Sequence, residues 1–173
     1  MQEKLENIIE FTAGKNITRL NEIPESNVYT QKDFDDDLNG VNQDYISGCI
    51  INLMKSKIAP CTKFTSEKCL ITNFLSCTFD KDTLDQWYLC YLFNESKAVE
   101  RQMNRFQQAS VLSVRKLTIK SIGDLKINLI DIDKQRNIGK LYKEYLRKNY
   151  LMRQQIENIS KLTKETIRRI EED

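Results

Sequence analysis

Histidine does not occur in the 173 residues, glycine occurs five times and proline twice. Without histidine the chain lacks the commonest general base and the commonest zinc ligand, which disfavours many hydrolase designs at once. The cysteines Cys49, Cys61, Cys69, Cys77 and Cys90 include no Cys-x-x-Cys pair, so the usual zinc and redox spacings are missing. Long apolar runs are scarce as well: Ile50-Ile51 and Tyr88–Phe93 fall far short of the roughly 20 residues of a membrane helix. Met1-Gln2-Glu3-Lys4 carries no apolar signal-peptide core. There is no Gly-rich nucleotide loop and no nucleophile–base pairing. The expectation is a cytoplasmic protein without catalytic chemistry or membrane segment, its thiols buried and reduced.

What is present is charge, unevenly placed. Charged residues make up 30% and the hydrophobic set 40%, enough to bury a core. From Lys134 to Asp173 there are 11 Lys/Arg and 6 Asp/Glu, a net of +5, whereas Met1 to Asp133 carries 16 and 19, a net of −3. Inside that first part, Glu22 to Asp44 has one Lys and seven acids, and Tyr45 to Gly123 has 11 bases and 6 acids. A nearly neutral chain can therefore still present a basic, phosphate-facing surface from its middle segment.

Glycine and proline punctuate the organisation. Gly14, after Ile8-Ile9-Glu10-Phe11, marks a turn. Asn21 to Asn42, with Pro24, the Asp33–Asp37 cluster and Asn39-Gly40, reads as a long solvated connection with a short strand at Val28-Tyr29. Short β-branched or apolar runs follow at Cys49–Met54, Ile58–Cys61, Cys69–Thr72 and Phe74–Phe79, and later at Val111–Val114, Leu117–Ile119 and Leu125–Ile130; these predict strands. Between them, Leu84, Trp87, Tyr88, Tyr91 and Leu92 share a helical face, capped by Asp82 or Thr83, with Trp87 as core. A second helix, Glu95 to Phe106, places Lys97, Arg101 and Arg105 on one face.

From Asp133 onward no proline interrupts, and Gly139 stands alone near the start. About 40 helical residues would extend roughly 60 Å. The apolar positions Ile138, Leu141, Tyr145, Met152, Ile156, Ile159, Leu162, Ile167 and Ile170 approximate a 3-4 repeat, interrupted at Lys148 and Thr163–Thr166. A stripe that long cannot lie wholly on a head of about 130 residues, so it predicts half of an intermolecular helix pair. The fold class expected is α+β: a β-rich head of mixed or antiparallel sheet with short helices over residues 1–130, then one long C-terminal coiled-coil helix over 131–173.

In this order the segments resemble one target-recognition domain and its following helix from the specificity subunit of type I restriction–modification systems. Lys4 to Asn16 resembles the family's opening, a Leu-led element running into a small-Gly-Lys turn, with Arg19 as a further basic residue. Ile46 to Leu53 resembles its Gly-led strand, and Ile71-Thr72-Asn73-Phe74 its Asn-Phe strand. Leu84-Asp85-Gln86-Trp87-Tyr88-Leu89-Cys90-Tyr91-Leu92-Phe93-Asn94 is similar to its Tyr-Leu-x-Tyr-x-Leu-Asn helix. Leu117 to Ile127 resembles the approach to the long helix, and Lys134-Gln135-Arg136-Asn137-Ile138-Gly139 matches its Gln-x-x-Ile start. The sequence departs from the pattern in carrying one domain and one helix where full-length members carry two of each. It also departs in having Gln107-Gln108-Ala109-Ser110 where the family often has Gln-Gly-Ser/Thr.

The resemblance implies a non-catalytic chain that binds duplex DNA and directs a methyltransferase subunit, joined in restriction complexes by a translocating restriction subunit. The chain itself would hold no cofactor; S-adenosylmethionine, ATP and Mg would belong to the partner subunits. Two copies pairing their helices antiparallel would form a homodimer reading an inverted repeat, the gap set by the helical spacer. Candidate DNA-binding residues are Lys15, Asn16, Arg19, Arg101, Arg105, Gln107, Gln108, Ser110, Arg115 and Lys116, with Arg105, Gln107 and Gln108 reading bases. Lys15, Arg19, Lys55, Lys57 and Lys63 would meet phosphates.

Two other readings are compatible with the residues. One is a coiled-coil adaptor whose head binds protein, with no role for DNA. The other is a small metal-dependent nuclease using Asp33, Asp35, Asp36 and Asp37, although such sites usually draw carboxylates from separated segments. Consecutive Asp residues more often stay solvated or favour a helix N-terminus, and no metal site is expected.

Overall fold

The computed structural model describes residues 2–16, 24–108 and 117–172. Its centre is a four-stranded antiparallel sheet in the order β2-β5-β3-β4, formed by β2 (Glu10–Ala13), β3 (Tyr45–Asn52), β4 (Lys57–Thr62) and β5 (Phe74–Thr78). Period-2 alternation splits the side chains between two cores. Cys49 and Ile51 of β3, Ile58 of β4, and Leu75 and Cys77 of β5 join the larger cluster; Ile50, Ala59 and Phe74 point the other way into a smaller one. Gly48 sits at φ +106° where the β3–β4 register shifts, and a Cβ there would stand 2.9 Å from the Cys77 carbonyl oxygen. Glycine at this point inside the strand is a steric requirement.

The smaller core is covered by α1 (Gln31–Leu38), which corrects the reading of Asn21–Asn42 as a solvated connection. Thr30 and Asp33 form a reciprocal capping box, and Phe34 is buried beside Tyr29 and Phe74. Val28 makes only an isolated bridge to Cys69, so neither the strand expected at Val28-Tyr29 nor the one at Cys69–Thr72 forms.

The larger core is covered by α3 (Gln86–Glu95), buried nearly all round as a central helix must be. Its cap is Asp85, whose carboxylate accepts from the Tyr88 N–H at 2.8 Å, rather than Asp82 or Thr83. At its other end Asn94 pairs with the backbone of Ile58, accepting from its N–H and donating to its carbonyl, each at 2.9 Å. That amide occupies the outer edge of β4, the last strand of the sheet. Next, α4 (Lys97–Gln108) buries Val99 and Met103 and ties itself to Lys126 through both ends of the Gln102 amide.

Val111–Val114 lies outside the described residues. Leu117–Ile119 is not a strand: Thr118 and Ser121 build a capping box that opens the short helix α5 (Ile119–Gly123). β6 (Lys126–Asn128) then pairs antiparallel with β1 (Gln2–Lys4), so the start of the chain is bound next to the start of the last helix. A Lys4–Asp124 ion pair at 2.7 Å reinforces the join. A four-residue helix, α2 (Lys63–Ser66), follows β4, and α6 (Ile132–Glu172) completes the structure.

All five cysteines are free: Cys49, Cys77 and Cys90 are buried, Cys61 and Cys69 half-buried. Burial pushes the Cys49 and Cys77 thiols well up from their ordinary range, so both stay protonated and inert. No helix among the described residues is long and apolar enough to cross a membrane.

Candidate nucleic-acid interface and pairing helix

One end of the sheet gathers several of the candidate DNA-binding residues. Lys15 and Asn16 leave β2 there, both exposed, with the Lys15 N–H held by the Leu70 carbonyl at 2.7 Å. The β3–β4 turn reaches the same end, carrying exposed Lys55. The last turn of α4 arrives beside it, and the Gln107 amide donates to Ser56 Oγ at 3.2 Å. Asn16 and Gln108, the residues preceding segments 17–23 and 109–116, therefore both belong to this region. Arg19, Ser110, Arg115 and Lys116 lie outside the described residues.

The remaining candidates are placed differently. Arg101 and Arg105 are exposed along α4, the Arg101 Nε donating to the Lys97 carbonyl at 3.1 Å. Lys57 spends its amine on the Asn94 carbonyl at 2.7 Å. Lys63 opens α2 at the far end of β4, a six-residue strand and thus about 20 Å away. The phosphate-contacting set expected from sequence is therefore divided between two ends of the sheet.

The β3–β4 turn is built more carefully than its sequence suggested. The Asn52 side chain, 3% exposed, accepts from the Met54 and Lys55 N–H groups at 3.1 and 3.0 Å and donates to Gln31 of α1 at 2.7 Å. Ser56 adopts φ +52°, a left-handed conformation that costs a non-glycine residue energy and needs support. Sequence reading missed Asn52 and Met54; an Asn at a strand end, able to bond its own backbone two residues on, is the signal that was there.

The acidic cluster disperses. Asp33 pairs with Lys68 at 2.7 Å, Asp36 with Lys32, and Asp35 lies 3.9 Å from Lys55. Asp37 is buried and accepts from Tyr29, Thr62, Thr65 and Asn42. Burial raises the Asp37 carboxyl above its ordinary value even so. Among the described residues no group of three or more His, Cys, Asp or Glu side chains could hold a metal ion.

The first turns of α6 are locked to the head. Gln135 is 1% exposed; it accepts from the Asp85 N–H at 3.0 Å and donates to the carbonyls of Thr83 and Ile130 at 3.1 and 2.8 Å. One turn on, Gly139 lets the backbones of α6 and α3 approach: a Cβ would lie 2.3 Å from Asp85 Oδ1 and 2.9 Å from the Tyr88 nitrogen. Tyr142 is buried among Trp87 and Tyr91 and donates to Glu95 at 3.1 Å. Ile138 and Leu146 are half-buried against the same core. The Gln-x-x-Ile start is thus a clamp that fixes the direction of the rod.

The rest of the apolar stripe is bare. Leu141, Tyr145, Met152, Ile156, Ile159, Leu162, Ile167 and Ile170 are each more than half exposed, and Leu151 nearly so. Eight such side chains along one helix are far more than the scattered apolar residues of an ordinary surface.

This head-and-rod arrangement has solved counterparts. The chain superposes on the HsdS subunit from Thermoanaerobacter tengcongensis with a TM-score of 0.54 at 14% identity, over 86% of this chain and 37% of that one. It superposes on a chain from a type I restriction–modification system, solved in a study of complex assembly and conformational transition, with a TM-score of 0.61 at 14% identity, over 95% of this chain and 43% of that one. The fold is that of a type I specificity subunit. At 14% identity the likeness to that specificity-subunit fold is one of architecture, and the chain spans about two fifths of each subunit's length. No protein-family model and no curated protein matches the sequence.

Proposed function

We propose that this chain is a DNA-specificity subunit of a type I restriction–modification system, working as a homodimer through α6. The observation that carries the reading is the division of α6: a clamp sets its angle to the head, and a bare apolar stripe then runs on for more than 20 residues. A rod so fixed holds two heads at a set separation, which is what reading an inverted repeat requires. At about 34 Å per duplex turn, a rod of about 60 Å suits half-sites separated by several unread base pairs. The heads contact duplex through the sheet end bearing Lys15, Asn16, Lys55 and Gln107 and through Arg101 and Arg105. Methylation and cleavage belong to partner subunits, which bind S-adenosylmethionine, ATP and Mg in the cytoplasm.

Co-purification with a type I methyltransferase subunit, followed by sequencing of the methylated sites, tests this. The expected result is a stable complex and an inverted-repeat word. Binding of duplex should fall steeply with salt, with a slope set by the phosphates contacted. A head that ignores duplex DNA at low salt, with and without the methyltransferase, would instead favour the protein-binding adaptor.

A further inference from the structure

We infer that the β3–β4 turn is a reading element that enters the major groove, with Met54 packing against thymine methyl groups and Lys55 against a flanking phosphate. This rests on the DNA-binding reading above and extends it to a residue which that reading does not use.

Three observations carry the inference. First, the turn is held rigid from both sides. Asn52 pins the Met54 and Lys55 amides and is itself pinned by Gln31 of α1, while Gln107 of α4 holds Ser56. A backbone fixed before contact loses little freedom on binding, the condition for discriminating between similar partners. Second, its tip is apolar in a polar setting. Met54 is 52% exposed, beside Lys55 and at the same end of the sheet as Lys15. About half of this flexible thioether side chain stays in solvent although it borders a hollow with Tyr29 and Ile71.

Third, the turn is a ridge between two hollows. One, of about 280 Å³, is lined by Lys55, Ser56, Lys57, Asn94, Asn104 and Gln107; the other, of about 380 Å³, by Tyr29, Gln31, Asn52, Met54, Ile71 and Asn73. A ridge flanked by hollows complements a groove flanked by two raised backbones. A two-stranded ribbon fits the major groove, and the thymine C5-methyl is the apolar feature displayed there. Acidic groups are few at the ridge: Asp35 stands 3.9 Å from Lys55, and Glu100 lines the smaller hollow.

The test begins with selection by the full-length chain from a random-sequence duplex pool. The enriched duplexes are then resynthesised with deoxyuridine in place of thymidine, which removes only the methyl groups. Wild-type chain should bind the uracil duplexes about fourfold more weakly for each methyl covered, and Met54→Ala should bind both forms alike. Lys55→Ala should lower the slope of log affinity against log salt by about 0.9, and Lys161→Ala, exposed on the rod away from the head, should leave it unchanged. If selection succeeds but neither the methyl nor Met54 matters, or the enriched words contain no A·T pairs, this assignment is overturned while DNA binding stands. If nothing is enriched, the DNA-binding reading itself fails. Met54 and Lys55 are exposed, so unchanged circular dichroism is expected of both variants.

Discussion

The two parts of α6 use opposite materials. Where the helix touches its own head, its buried contacts are Gln135, Gly139 and Tyr142, which supply a hydrogen-bonded join, a close crossing and an aromatic corner, with Ile138 and Leu146 half-buried beside them. Where it touches nothing, it carries Met152, Ile156, Ile159, Leu162, Ile167 and Ile170. In a self-contained domain the large aliphatic side chains would face the core and the exposed turns would be polar. The contrast teaches that the first part sets direction; under the function proposed above, the second part is the surface that meets a separate helix.

The sharpest way to break this contrast is in the bare stripe. Ile156→Asp combined with Ile159→Asp should raise the dimer dissociation constant about a hundredfold or more, on the order of 3 kcal/mol. Light scattering should give a monomer mass while the head's unfolding midpoint in urea stays put; a persistent dimer would remove α6 from the seam. Next comes the clamp. Gly139→Leu forces atoms into the Asp85 and Tyr88 backbone region and should cost the head about 3 kcal/mol by urea unfolding, the reverse signature.

Gln135→Leu is milder. It leaves the Asp85 N–H and the carbonyls of Thr83 and Ile130 without that amide, a loss of about 2 kcal/mol in the same assay. The smallest effect lies away from the rod. Burial by itself would raise the Asp33 carboxyl, but hydrogen bonds from Lys68 and Thr30 hold it below its ordinary value. A depressed carboxyl stabilises the fold at pH values above its unfolded value of about 3.9, and the gain is lost as pH falls through the lower, folded value. Asp33→Asn should therefore cost about 1 kcal/mol at neutral pH and flatten the acid limb of the stability curve.

The rod, the central strands and α3 were legible in the sequence because each carries a local signal: no proline after Pro60, short apolar runs in β3 and β4, a dense apolar helix at Trp87–Phe93. α1 was not, since four Asp residues surround the two apolar positions, Phe34 and Leu38, that make its buried face. The Thr30–Asp33 box marked its start nonetheless, as Thr118–Ser121 marked α5 where a strand was expected. Cys69–Thr72 has strand-like residues but packs face-on against Gly14, where any Cβ would lie 2.1 Å from the Ile71 oxygen. Of the candidate site, sequence identified the cations but not their grouping. Lys55 and Lys63 are eight residues apart in the chain and at opposite ends of the sheet.

The Asn94 amide lying along β4 has an effect on how the protein can assemble. The Ile58 N–H and carbonyl, already taken by that amide, cannot pair with a further strand, so extension of the sheet past β4 is hindered at that point. The sheet's other border is β2, so any strand-to-strand extension is directed there.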